Sequence, residues 1–169
     1  MSRSFLLGAA LCVSALACSP APPAPPSLVV VTIDTLRADH VTARLTPALE
    51  RLASEAIVFD NAVTVAPLTL PAHASLFTAL YPPRHGVRDN HLFSLSQDVP
   101  VFPELLERRG YATAAFVSAV VLDRRYGLAR GFDVYDAEMD GPERPARETL
   151  ARARVWLDGD CIKDDGPER

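Results

Sequence analysis

The apolar positions along the chain change period several times, and each change marks an element. After Arg3, Phe5 to Leu16 is an almost unbroken apolar run, too short to span a bilayer comfortably, and it reads as an export signal. Leu28-Val29-Val30-Val31-Thr32-Ile33 is a continuous β-branched run. That is the pattern of a central strand covered on both faces, and it ends at Asp34. Thr46-Pro47 offers an N-cap with proline at the first helical position, and Leu49, Leu52, Ala53, Ala56 and Ile57 then recur at helical spacing. A short strand is expected over Ile57 to Phe59, and a helix over Pro71 to Ala79, closed by Tyr81-Pro82-Pro83. Further on come a helix over Pro103 to Arg109 ended by Gly110, a strand within Tyr111 to Val117 and a helix over Arg147 to Leu157. Strands alternating with helices predict a layered α/β domain, with too few strands for a finished sheet covered on both faces. The pattern therefore predicts part of a larger fold.

The flanks differ from this core. In Ser14-Ala15-Leu16-Ala17-Cys18, the spacing of Ala15 and Ala17 suits ordinary signal cleavage, while small residues before Cys18 suit a bacterial lipobox with Cys18 as the lipid attachment site. Ala15 stands where leucine is usual in a lipobox. Residues 19–27 are rich in proline, and a polyproline-like tether of this length would hold a domain roughly 20 Å from an acylated cysteine. The expected location is the bacterial periplasm or the outer membrane, as a lipoprotein in contact with the membrane through its anchor; a secreted protein is the alternative. The domain itself is expected over residues 28–157. Residues 158–169, mostly Gly, Asp, Lys, Glu and Pro, are expected to be a frayed or disordered tail.

Of the 169 residues, 49% are hydrophobic, enough for a real core and too many for a disordered chain. A formal charge of -4 offers no footprint for phosphate backbones, so nucleic acid is excluded as an expected partner. Cys12 lies in the signal, Cys18 at its end and Cys161 by itself near the C-terminus, which leaves no disulfide framework.

Two segments carry candidate chemistry. Asp34 follows the expected central strand, where open α/β sheets place their ligands, so it is a candidate metal ligand or phosphate-site residue. An Asp there also serves as a helix cap or turn residue. Thr69 stands just before an expected helix, where free backbone N–H groups and the helix dipole favour anions; that placement suits a nucleophile attacking a sulfate or phosphate ester. A capping role is the alternative.

The order of Asp34-Thr35-Leu36-Arg37-Ala38-Asp39, then Thr46-Pro47 with Leu49 and Leu52-Ala53, then Thr69 to Gly86, resembles the start of sulfatases within the alkaline phosphatase superfamily. The resemblance runs from about Leu28 to Asp136. Against the sulfatase pattern CxPSRxxLLTGxYPxxHG, Thr69 falls on the cysteine, Pro71 on the proline, His73 on the arginine and Thr78 on the threonine. Tyr81-Pro82 and His85-Gly86 fall on their counterparts. The resemblance implies the N-terminal portion of a three-layer α/β/α sandwich of alkaline phosphatase type. It also implies metal-assisted nucleophilic displacement at sulfur or phosphorus, with Asp34 and Thr69 as metal ligands and Thr69 as nucleophile. His73 would help hold the nucleophile, and His85 would serve near the leaving group or brace the turn with Gly86. The implied substrates are small-molecule or glycan esters of sulfate or phosphate, and the implied cofactor is a divalent metal ion: calcium, zinc or manganese.

Three departures shape these expectations. Sulfatases oxidise a cysteine or serine to a formylglycine aldehyde, and the methyl on the Thr69 Cβ rules out an aldehyde, so no formylglycine is expected. Thr35 replaces the second of two successive aspartates, removing a hard oxygen charge that favours calcium. Gly110-Tyr111-Ala112-Thr113 matches the family's GYxT segment, but Val117-Ser118-Ala119-Val120 stands where sulfatases continue with GKWH. Threonine nucleophiles occur in related phosphodiesterases and phosphotransferases, which keeps phosphate esters open as substrates. The family takes its remaining metal ligands from a later segment, so the sequence reads as a truncated hydrolase. The alternatives are a non-catalytic exported lipoprotein or inactive remnant of such an enzyme, and a tethered module that binds anions at Thr69 without turnover.

Overall fold

The computed structural model describes residues 25–159. They fall into two compact units that meet between Thr35 and Leu36. In the first, residues 25–33 are not part of any strand, and Leu28, Val29, Val30, Val31 and Ile33 are each more than half exposed. The buried central strand expected over Leu28 to Ile33 is thus not formed. The only ladder among the described residues lies in the second unit, and β-branched residues favour a sheet where neighbouring strands cover them. The export signal, Cys18 and most of the proline tether lie outside the described residues.

After a 3-10 turn at Ala38–His40, the second unit continues with α1 (Pro47–Glu55), which starts where Thr46-Pro47 predicts. The Thr46 hydroxyl does not cap it. That hydroxyl accepts the Thr42 N–H at 3.0 Å, folding the preceding turn back on the helix start. Leu49 and Ala53 are half-buried, whereas Leu52 is exposed. The strand expected over Ile57 to Phe59 does not form, and all three residues are exposed.

The core gathers around α2 (Thr69–Thr78) and the one-turn α3 (Pro82–His85). Pro71 is tolerated in the first turn of α2 because N–H groups there have no partner within the helix. Leu70, Pro71, Ala74 and Ser75 form its buried face, at the spacing that puts residues three and four apart on one side. α2 ends at Ala79 in a left-handed conformation, with its N–H on the Ser75 carbonyl. From this helix, Phe77 reaches Phe102 edge-on at 5.1 Å and Phe132 at 5.9 Å, and Phe132 reaches Tyr135 at 5.7 Å. These offset and edge-on pairs tie α2 to α4 (Phe102–Glu107) and to the sheet.

The sheet has two parallel strands, β1 (Ala114–Phe116) and β2 (Val134–Asp136), with Ala114 opposite Val134 and Phe116 opposite Asp136. β1 lies within the expected strand. β2 is too short for alternation to reveal it in the sequence. Thr113 and Asp133 fix the register reciprocally: Asp133 Oδ2 accepts the Thr113 N–H at 2.8 Å, and Thr113 Oγ1 accepts the Asp133 N–H at 3.0 Å. The crossover passes Gly131, where an added Cβ would collide with the backbone of Pro103 and Glu104. α5 (Ala146–Gly159) packs on β1 with Thr149, Ala153 and Trp156 turned inward, and it carries Asp158 and Gly159, which were expected in the tail. The remaining tail lies outside the described residues, among which no helix is long and apolar enough to cross a membrane.

Candidate functional site

Thr69 is the first residue of α2 and is half-buried. The preceding Leu68 is extended and has no side chain able to cap, so the free N–H groups of the first turn need acceptors from elsewhere. One comes from Asn90, whose Oδ1 accepts the Leu70 N–H at 2.9 Å across twenty residues of sequence. Asn90 thereby fixes where α2 begins, immediately beside Thr69. Nothing in the local pattern of Asp89-Asn90 distinguishes it from an ordinary turn, so this role emerges only from the folded chain.

His73 lies one turn further along α2. Its Nδ1 donates to the Thr69 carbonyl oxygen at 2.8 Å, which sets the imidazole against the backbone of the candidate nucleophile. Ser75 lies on the buried face of the same helix, and its Oγ meets His85 Nε2 at 2.8 Å. The other ring nitrogen of His85 accepts the Val87 N–H at 3.1 Å. Both nitrogens are therefore engaged within the chain, and burial pushes the imidazole pKa below its ordinary value. The structure thus gathers Thr69, His73 and, through Ser75, His85 along one helix.

Asp34 belongs to the first unit, and its Oδ1 accepts the Thr35 N–H at 3.1 Å. Thr35 holds φ +54, a backbone that β-branched residues seldom adopt. Calcium, zinc or manganese needs four or more ligands, and among the described residues no group of three or more His, Cys, Asp or Glu side chains gathers to supply them. The described donors do not by themselves fit a divalent metal.

A second polar centre lies where β2 meets α5. The side chain of Arg144 is 2% exposed and donates to Asp136 Oδ1 at 2.8 Å, to the Val117 carbonyl at 2.7 Å and to Thr149 Oγ1 at 3.1 Å. Burial would raise the Asp136 carboxyl, but hydrogen bonds from Arg144 and Arg152 outweigh it and hold the group below the usual carboxylate range. The groove beside it, about 410 Å³ in volume, includes Glu138, Glu143, Glu148 and Arg152 in its lining and draws no residue from α2 or α3.

The Sulfatase family model matches residues 26–148, well over half of the chain. An ectonucleotide pyrophosphatase/phosphodiesterase of Caenorhabditis elegans is 32% identical over 65% of the chain and 14% of its own length. An ulvan-active sulfatase of Formosa agariphila is 42% identical over 41% of the chain and 13% of its own length. The N-acetylgalactosamine-6-sulfatase of Mus musculus is 30% identical over 79% of the chain and 30% of its own length. The chain thus spans less than a third of each of these relatives, and no solved structure matches it. The match over residues 26–148, with Thr69 opening α2 inside it, places the chain in the sulfatase family, a family of alkaline phosphatase-like α/β fold.

Proposed function

We propose that this chain carries the nucleophile-bearing part of a hydrolase of sulfate or phosphate esters, and that Thr69 is the nucleophile. The observation that supports this reading most is the position of Thr69 as the first residue of the ten-residue helix α2, at the place where the resemblance to sulfatases implies the nucleophile. The positive end of that helix's dipole favours the negative charge that builds on a sulfuryl or phosphoryl group during displacement. A bond from Thr69 Oγ1 to sulfur or phosphorus forms as the bond to the ester oxygen breaks, and the hydroxyl proton ends on the departing alcohol. Water then displaces Thr69 Oγ1 from sulfur or phosphorus, restoring the hydroxyl and releasing the acid. His73, bonded to the Thr69 carbonyl, holds the backbone of the nucleophile in place. His85, with both nitrogens engaged, acts as a brace behind the helix.

In this reading the full architecture is the three-layer α/β/α sandwich, and the substrates are small-molecule or glycan esters. A divalent metal would need ligands beyond those described. The expected assay outcome is release of nitrophenol from an aryl sulfate or an aryl phosphodiester by the native chain, falling at least about a hundredfold in Thr69→Ala. Unchanged rates in the variant, or no turnover by the native chain, would contradict the proposal.

Export with lipid attachment at Cys18, placing the protein in the periplasm or at the outer membrane, is part of the same proposal. Labelled fatty acid should be incorporated when the chain is expressed in a bacterial host and lost in Cys18→Ser. Equal labelling of both would place the acyl group on another residue, and labelling of neither argues for a secreted protein.

A further inference from the structure

His85 combines deep burial with a hydrogen-bond pattern that only one protonation state satisfies. The residue is 3% exposed. Because the Val87 N–H donates to Nδ1, that nitrogen presents its lone pair, and the proton of the neutral ring sits on Nε2, from which it is donated to Ser75 Oγ. Ser75 is therefore not an activated nucleophile: the nitrogen facing it already holds a proton and cannot accept another. A second proton has only Nδ1 to occupy. There it would confront the Val87 N–H, donor against donor, across 3.1 Å.

Among the described residues, the elements packed around His85 offer no countercharge. On α2 the other titratable side chain is His73, which is turned to the Thr69 carbonyl. Tyr81 and Arg84, at α3, and Arg88 after it are exposed. The Asp89 carboxylate accepts the N–H groups of His91 and Leu92. The 3-10 turn Val120–Leu122, packed on α2, carries no charge. On α4, Glu104 is engaged with the Val101 N–H and Arg130, and Glu107 is exposed.

We propose that His85 is a proton-sensitive latch: neutral and protonated on Nε2, it ties α2 to the α3 turn through Ser75 and Val87, and a second proton releases that tie. Thr69 opens the same helix, so the latch also positions the nucleophile, a consequence that rests on the function proposed above while the latch itself does not. Burial lowers the pKa in the folded state, so the stabilisation is fully present above the ordinary imidazole value of about 6.5 and is lost as pH falls through the lower folded value.

The test is an NMR titration of the imidazole rings in the whole chain, with amide-exchange protection of α2 measured across the same range. The latch predicts a neutral His85 protonated on Nε2, a midpoint below the ordinary imidazole value, and at least tenfold loss of α2 protection through that midpoint. A midpoint at or above the ordinary imidazole value, a neutral proton on Nδ1, or unaltered α2 protection would each overturn it. His85→Gln, which cannot be protonated, should abolish the pH dependence of α2 protection, and its persistence there would also overturn the latch. Should that variant not fold, the titration of the native chain still decides. No ester turnover enters these readouts, so failure of the hydrolase proposal and failure of the latch are distinguishable.

Discussion

Ala79 holds φ +57 at the end of α2, on the position where the sulfatase pattern has glycine. A left-handed backbone costs an L-residue about 1–2 kcal/mol, which glycine avoids while losing part of that gain to its freer unfolded chain. Ala79→Gly is therefore expected to stabilise the chain by about 0.5–1 kcal/mol, read as a higher midpoint of denaturant unfolding. A lower midpoint would show that the Ala79 methyl makes contacts worth more than the strain. The departure from glycine is visible in the sequence, but its cost is visible only once the dihedral is known. The same holds for His85. Its pairing with Gly86 marks a turn, while the tautomer that ties it to Ser75 depends on two contacts that the spacing does not encode.

α2 is the element most legible in the sequence and the one on which the functional reading depends. Pro71 to Ala79 fixed its body, and the structure starts it two residues earlier, at Thr69, because proline is admitted inside the first turn. Its start depends on Asn90, which supplies the acceptor that Leu68 cannot. Asn90→Ala should cost about 1 kcal/mol, the usual worth of a lost cap, and should raise amide exchange of Leu70 and Ala72 more than that of Thr78. Uniform loss of protection along the helix would instead place the role of Asn90 in the core. The strand expected over Leu28 to Ile33 failed for a different reason. β-branched residues report a preference for a covered sheet, whereas the chain leaves them in an uncovered segment. β2 was missed because Val134-Tyr135-Asp136 is short and its pairing with β1 is nonlocal.

On the scale of the whole molecule, the sequence is legible as family, and the structure shows how the described part is held together. The α/β character and the placement of Thr69 before an expected helix could be read directly from patterns. The contacts that fasten the second unit could not be read that way. Arg144 joins the end of β1, β2 and α5 from a buried position, and Arg130 reaches the carbonyls of Ser96 and Val99 and the carboxylate of Glu104. Arginines dispersed through a sequence look like surface charge until their long-range acceptors are known. The metal expectation also belongs to this scale: among the described residues no group of three or more His, Cys, Asp or Glu side chains gathers.

The central claim is that Thr69 forms a bond to the transferred group. Its most direct test is acid quench of the chain during turnover of an aryl phosphodiester or aryl sulfate, followed by mass spectrometry of the peptide spanning residues 69–84. A phosphoryl or sulfuryl adduct on Thr69, absent from Thr69→Ala, is the predicted result. Turnover without an adduct on that peptide, or with the adduct on another residue, would contradict it.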